Sequence, residues 1–155
     1  MTDSHDARLA ALGIELPVPA TPAANYIPYT ISGKTLFVAG QITIWNGELR
    51  YLGRLGADMP IEKGVEAARL CGLNLIAQAR HAAGGSLSGI KRVLKLGGFV
   101  NCTADFIQHP QVINGASDLM VQVFGDAGKH ARFAVGAVSL PRGVAVEIDA
   151  IFELA

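Results

Sequence analysis

Hydrophobic and polar positions alternate through the last quarter of the chain, Lys129 to Ala155, and a period of two marks β-strands. Val144, Val146, Ile148, Ala150 and Phe152 fall on one face of a closing strand, with Ala145, Glu147, Asp149, Ile151 and Glu153 on the other. In the stretch before it, Phe133, Val135 and Ala137 make an apolar face, which leaves Arg132, Ala134 and Gly136 opposite. The Leu140-Pro141-Arg142-Gly143 turn predicts that these two strands form a hairpin, with Arg132 and Glu147 on its polar side. A turn centred near Pro141 sets Glu147 beside Gly136, so Arg132 lies four residues along, roughly 13 Å at strand rise. Polar residues on the outer face of such a ribbon are usually only solvated, and their spacing alone does not define a site.

Earlier in the chain the period changes. Leu9, Leu12 and Leu16 give residues 5–16 the apolar stripe of a short helix, and the proline-broken stretch from Pro17 to Pro22 reads as an extended arm laid over the surface. Strand signals follow from Asn25 to Ile44. The Asn46-Gly47 pair then supplies the positive φ angles of a type I′ hairpin, with Glu48 to Leu52 returning. Gly40 interrupts its strand and predicts a bulge or a close backbone approach, and Gln41 beside it is a polar group in an apolar run. Pro60 opens a helix whose stripe (Val65, Ala68, Gly72, Leu75, Ile76, Ala79 and Ala83) is made mostly of small residues, which predicts close packing on a sheet. A strand over Lys91 to Cys102 contains a glycine pair. A second helix starts at Asp105 or His109, with Val112, Ile113, Ala116, Leu119, Met120, Val123 and Phe124 inward, and ends at Gly125. The order β-β-β-α-β-α-β-β predicts an α+β sandwich, a mixed β-sheet with two helices on one face, in a single domain over 1–155 whose residues 1–24 are an N-terminal helix and proline-rich arm.

Composition narrows the function. Half of the 155 residues are hydrophobic and 17% are charged, enough for a real core and against disorder. Thirteen basic residues balance thirteen acidic ones, so the basic footprint of a nucleic-acid binder is missing and surface burial in an oligomer is favoured. Cys71 and Cys102 lack metal-ligand spacing and read as small buried apolar residues; no metal and no cofactor is called for. The four histidines, His5, His81, His109 and His130, are scattered and read as surface residues. The acidic start of the chain is not followed by an apolar stretch, and no apolar run approaches the ~20 residues of a membrane span, so a cytoplasmic protein is expected.

Arg132 with Glu147 is the pair that points to chemistry: a guanidinium to clamp a small anion and a carboxylate to act on it. Around that pair the chain resembles the RidA (YjgF, L-PSP) family. The segment Ala131-Arg132 through Leu140-Pro141 to Val146-Glu147-Ile148 and Ala150-Ile151 carries the resemblance, supported by LFVAGQ at Leu36–Gln41 and by Phe99-Val100 leading into Asp105-Phe106. It implies a chorismate-mutase-like fold assembled as a homotrimer with sites in inter-subunit clefts. It also implies hydrolytic deamination of reactive imines and enamines of the 2-aminoacrylate type to 2-keto acids and ammonia. On this reading Arg132 holds the substrate carboxylate, Glu147 orients water, Tyr26 closes over the imine and Gly40 brings backbone to the ligand. Ala134 offers backbone polar groups, with Gln41 and Asn101 as further binding candidates. Two positions depart from the family: Ala134 stands where a cysteine is common, and Phe133 where a small polar residue is common. A non-catalytic binder of small carboxylates such as 2-keto acids is the alternative, with an endoribonuclease or translation inhibitor behind it.

Overall fold

The closing alternation does form a strand, but in the middle of a sheet. In the computed structural model, which describes residues 4–22 and 24–155, the strands are β1 (Tyr29–Ser32), β2 (Thr35–Gln41), β5 (Ile90–Asn101), β6 (Ala131–Ala137) and β7 (Val146–Leu154), side by side in the order β1-β2-β7-β5-β6. The β5–β6 pair is parallel and the others are antiparallel. A separate ribbon of β3 (Ile44–Trp45) and β4 (Glu48–Leu49) turns at Asn46 (φ 48°) and Gly47 (φ 89°), the predicted Asn-Gly turn, although the return strand stops at Leu49 and Leu52 only bridges to Val144. The register between β2 and β7 slips between Val38 and Gln41, so the bulge expected at Gly40 is present.

The expected hairpin between the last two strands is absent. Strand β5 lies between them: Leu96 is opposite Arg132 on one side and Ala150 on the other, and Phe99 is opposite Val135 and Glu147. The physical reason is the β5-helix-β6 connection, which delivers β6 parallel to β5 at the sheet edge. The Pro141–Gly143 turn then carries the chain across the end of β5 instead of folding it back, fixed where Asn101 N–H donates to Ala145 C=O at 2.8 Å and Asn101 Nδ2 donates to Val144 C=O at 3.1 Å.

Helices α2 (Ile61–Ala82) and α3 (His109–Phe124) cover one face, and Val146, Ile148, Ala150 and Phe152 of β7 are buried beneath them. Small residues set the spacing of this layer. A Cβ at Gly115 would run into the Val65 carbonyl oxygen, and one at Gly72 would stand 2.9 Å from Leu119, so the glycines let α3 lie close against α2. Gly98 similarly admits Ile113, which would lie 2.7 Å from a Cβ there.

Helix α1 (His5–Ala11) is shorter than the expected 5–16, ended by Gly13 at φ 65°. Asp6 pins it by accepting from Ser86 Oγ (2.6 Å) and Leu87 N–H (3.1 Å). The arm that follows is docked: Val18 N–H donates to Asn46 Oδ1 and Gln78 Nε2 to Ala20 C=O, each at 2.8 Å. Both cysteines are buried. Of the histidines only His81 is exposed; His5, His109 and His130 are half-buried, each against a neighbour within the fold. No helix among the described residues is long and apolar enough to cross a membrane.

Gly115→Ala therefore forces the two helices apart, and the expected cost is about 1–3 kcal/mol of stability. A thermal melt should show a fall of several degrees; a variant melting with the wild type would mean that the α2–α3 spacing is not set at this glycine.

Candidate active site

The sheet face opposite the helices is uncovered, and β7 places its polar residues there. Glu147 lies opposite Phe99, and Asp149 opposite Gly97. Burial pushes the Glu147 carboxyl above its ordinary value, and the neighbouring Asp149 charge pushes it the same way. Asp149 is also raised by burial, against the opposing pull of the Gly97 amide and Lys95. Among the described residues Glu147 takes part in no ion pair. A half-buried carboxylate without a counter-charge is costly to a fold, which makes Glu147 a candidate for the site.

The β2 bulge is what makes room for it. A Cβ at Gly40 would stand 2.7 Å from Glu147 Oε2, so the glycine leaves the carboxylate room to lie along the bulged strand, and a side chain there would make it swing away. Gly40, Gln41, Tyr26 and Glu147 border a cavity of about 220 Å³. Tyr26 is 55% exposed where it lines the cavity. Gln41 is buried and spends its Nε2 on Ala39 C=O at 2.9 Å, which fixes the bulge while its side chain lines the cavity.

Three predicted residues lie elsewhere. Arg132 is on the helix-packed face at the sheet edge, where its guanidinium donates to Ser117 Oγ at 3.0 Å and to Pro110 C=O at 3.4 Å. It therefore does not share a side with Glu147, as the expected hairpin required: two strand spacings (about 10 Å), three registers and the thickness of the sheet separate them within the chain. Ala134 packs against the core on that same helix side, opposite Gly98. Asn101 is buried and holds the crossing segment through Val144 C=O. The apolar residues of β6 face the open side instead, and Phe133 meets Phe99 edge-on at 5.3 Å between ring centres. Apolar alternation identified the right strand but the wrong face, because both faces of β6 are largely apolar.

The structure adds two features to the cavity. Ala20, Thr21 and Pro22 of the N-terminal arm form part of its wall, and Arg142, from the turn before β7, stands at its border. The Leu-Pro-Arg-Gly turn was visible in the sequence, but as a hairpin connector its arginine had no reason to border the cavity that Glu147 lines.

The model of the family described as "YjgF/chorismate mutase-like, putative endoribonuclease" matches residues 6–149. The chain belongs to the YjgF/RidA family. Its fold is accordingly chorismate-mutase-like. Among this YjgF-type chain's relatives is protein TCP17 of Trypanosoma cruzi, 47% identical over 149 residues that make up 96% of this chain and 92% of that protein. Protein Atu1372 of Agrobacterium tumefaciens, of unknown function, is 46% identical with a TM-score of 0.90, the match covering 97% of this chain and 92% of that one. A structure from Shewanella oneidensis is 40% identical with a TM-score of 0.93, over 97% of this chain and 99% of the other.

A carboxyl group with a raised folded-state pKa stabilises the fold below its unfolded value, and that contribution is lost as pH rises through the folded one. At neutral pH the Glu147 charge is therefore a net cost. Glu147→Gln is expected to melt at or above the wild-type temperature at pH 7, with the difference vanishing in acid. A variant that melts lower at pH 7 would mean that the charge is neutralised by a partner.

Proposed function

We propose that the protein is a hydrolytic deaminase of small carboxylated imines and enamines, of the 2-aminoacrylate type, giving 2-keto acids and ammonia. The observation that carries this reading is Glu147: a carboxylate with raised proton affinity, held against a glycine bulge in a cavity that Tyr26 can close. Such a group positions a water and draws a proton from it as the oxygen attacks the C=N carbon. Nitrogen takes up the released electron pair and a proton, and ammonia leaves as the carbonyl forms. Imines hydrolyse readily, so holding water and substrate in line supplies much of the acceleration.

The family resemblance assigns the substrate carboxylate to Arg132, and the chain's own Arg132 lies on the far side of the sheet from Glu147. A site between copies reconciles the two, with Arg132 of one subunit reaching the Glu147 cavity of the next. The uncovered sheet face supports association, since Phe37, Phe99 and Val135 stand 37–43% exposed on it. A trimer with three equivalent clefts is the assembly that the family resemblance implies.

A pyridoxal-phosphate dehydratase that releases 2-aminoacrylate, coupled to this protein, tests the proposal. Wild type should accelerate pyruvate formation, Arg132→Ala should lose it, and Glu147→Gln should lose turnover while still binding a 2-keto acid. The wild-type rate should fall as pH drops through the raised Glu147 value, because only the ionised carboxylate accepts the proton. Unaltered pyruvate formation with wild type would remove 2-aminoacrylate as a substrate, and a fully active Glu147→Gln would remove Glu147 as the base.

A further inference from the structure

Arg142 is placed against its backbone preference. It follows Pro141 with φ 59° and ψ 15°, in the left-handed region, where the Cβ of a non-glycine residue crowds the backbone. Gly143 continues the turn at φ 77°, and hydrogen bonds from Gly143 N–H to Leu140 C=O (3.1 Å) and from Gly53 N–H to Gly143 C=O (3.0 Å) lock it. Asparagine or glycine would suit such a position better. The arginine is nevertheless there, exposed, in no ion pair among the described residues, and bordering the cavity that holds Glu147. Among the described residues it is the one cationic side chain that lines that cavity, together with Thr21 and Pro22 of the arm. Strained backbone at a cavity lip is a common mark of a functional residue.

We propose that Arg142 is a second carboxylate clamp, and that the site takes imines with an acidic group at the end away from the reacting carbon: dicarboxylic imines. This rests on the deaminase reading of the same site. Arg132 of a neighbouring subunit holds the carboxylate next to the C=N carbon, while Arg142 of the Glu147 subunit pairs with the distal one. Water adds to the C=N carbon, the C–N bond breaks with two protons delivered to nitrogen, and a dicarboxylic 2-keto acid and ammonia leave.

Binding and turnover, measured side by side, separate the two claims. Arg142→Asn removes the guanidinium and keeps a residue that tolerates the left-handed turn. Calorimetric titration with 2-oxoglutarate and with pyruvate should show wild type preferring the dicarboxylate, and the variant losing at least roughly tenfold of that preference, the size expected of a charge-assisted pair. Arg142→Lys, which keeps the charge without the fork, should fall between. The same ratio should hold for hydrolysis of the imines that an amino-acid oxidase forms from glutamate and from alanine. An unchanged preference in Arg142→Asn overturns the clamp even when both imines are hydrolysed. A preference that falls as expected, in a protein that hydrolyses neither imine, upholds the clamp and sinks the deaminase reading instead.

Discussion

Glu147 depends on a sheet that is covered on one face only. The same β7 alternation that buries Val146, Ile148, Ala150 and Phe152 under two helices points Glu147 and Asp149 to the other side, where neighbouring strands partly desolvate them. Neither the bulge nor the arm wall would matter without that carboxylate. Gly40 leaves the carboxylate the space it occupies beside the bulge, and a side chain there would displace it. Keeping a charge half-buried costs the fold stability.

Much of this was legible in the chain. The helical stripes, the Asn46-Gly47 turn and the glycine bulge each rest on a local rule, backbone preference or side-chain period, and each appears where the residues require it. Strand pairing is not local. The alternation in β6 and β7 says that both are strands, yet not that β5 lies between them, and a proline turn between two strands looks like a hairpin whether it folds back or crosses over. The β5-α3-β6 order held the correct answer, since a strand-helix-strand unit favours parallel neighbours.

The site was legible to a lesser degree for the same reason. Glu147, Tyr26, Gly40 and Gln41 converge on one cavity, while Arg132, Ala134 and Asn101 do not reach it within the chain. Residues from β2 and β7 meet because those strands pair directly. Arg132 is separated from them by β5 and by the sheet itself, so the family expectation of a cleft between subunits is what can reunite it with Glu147. The turn and the arm were both visible, but a turn and a proline-rich segment carry no periodic signal, so only their docking places Arg142 and residues 20–22 at the cavity.

The composite site is the central claim, and subunit complementation tests it most directly. Arg132→Ala and Glu147→Gln subunits, each inactive alone, would be unfolded, mixed in equal amounts and refolded together. If every site draws its arginine from one subunit and its glutamate from the next, about a quarter of wild-type activity should return, because each interface needs the intact partner on both sides. No recovery from a mixture shown by native mass spectrometry to contain hybrid oligomers would contradict it.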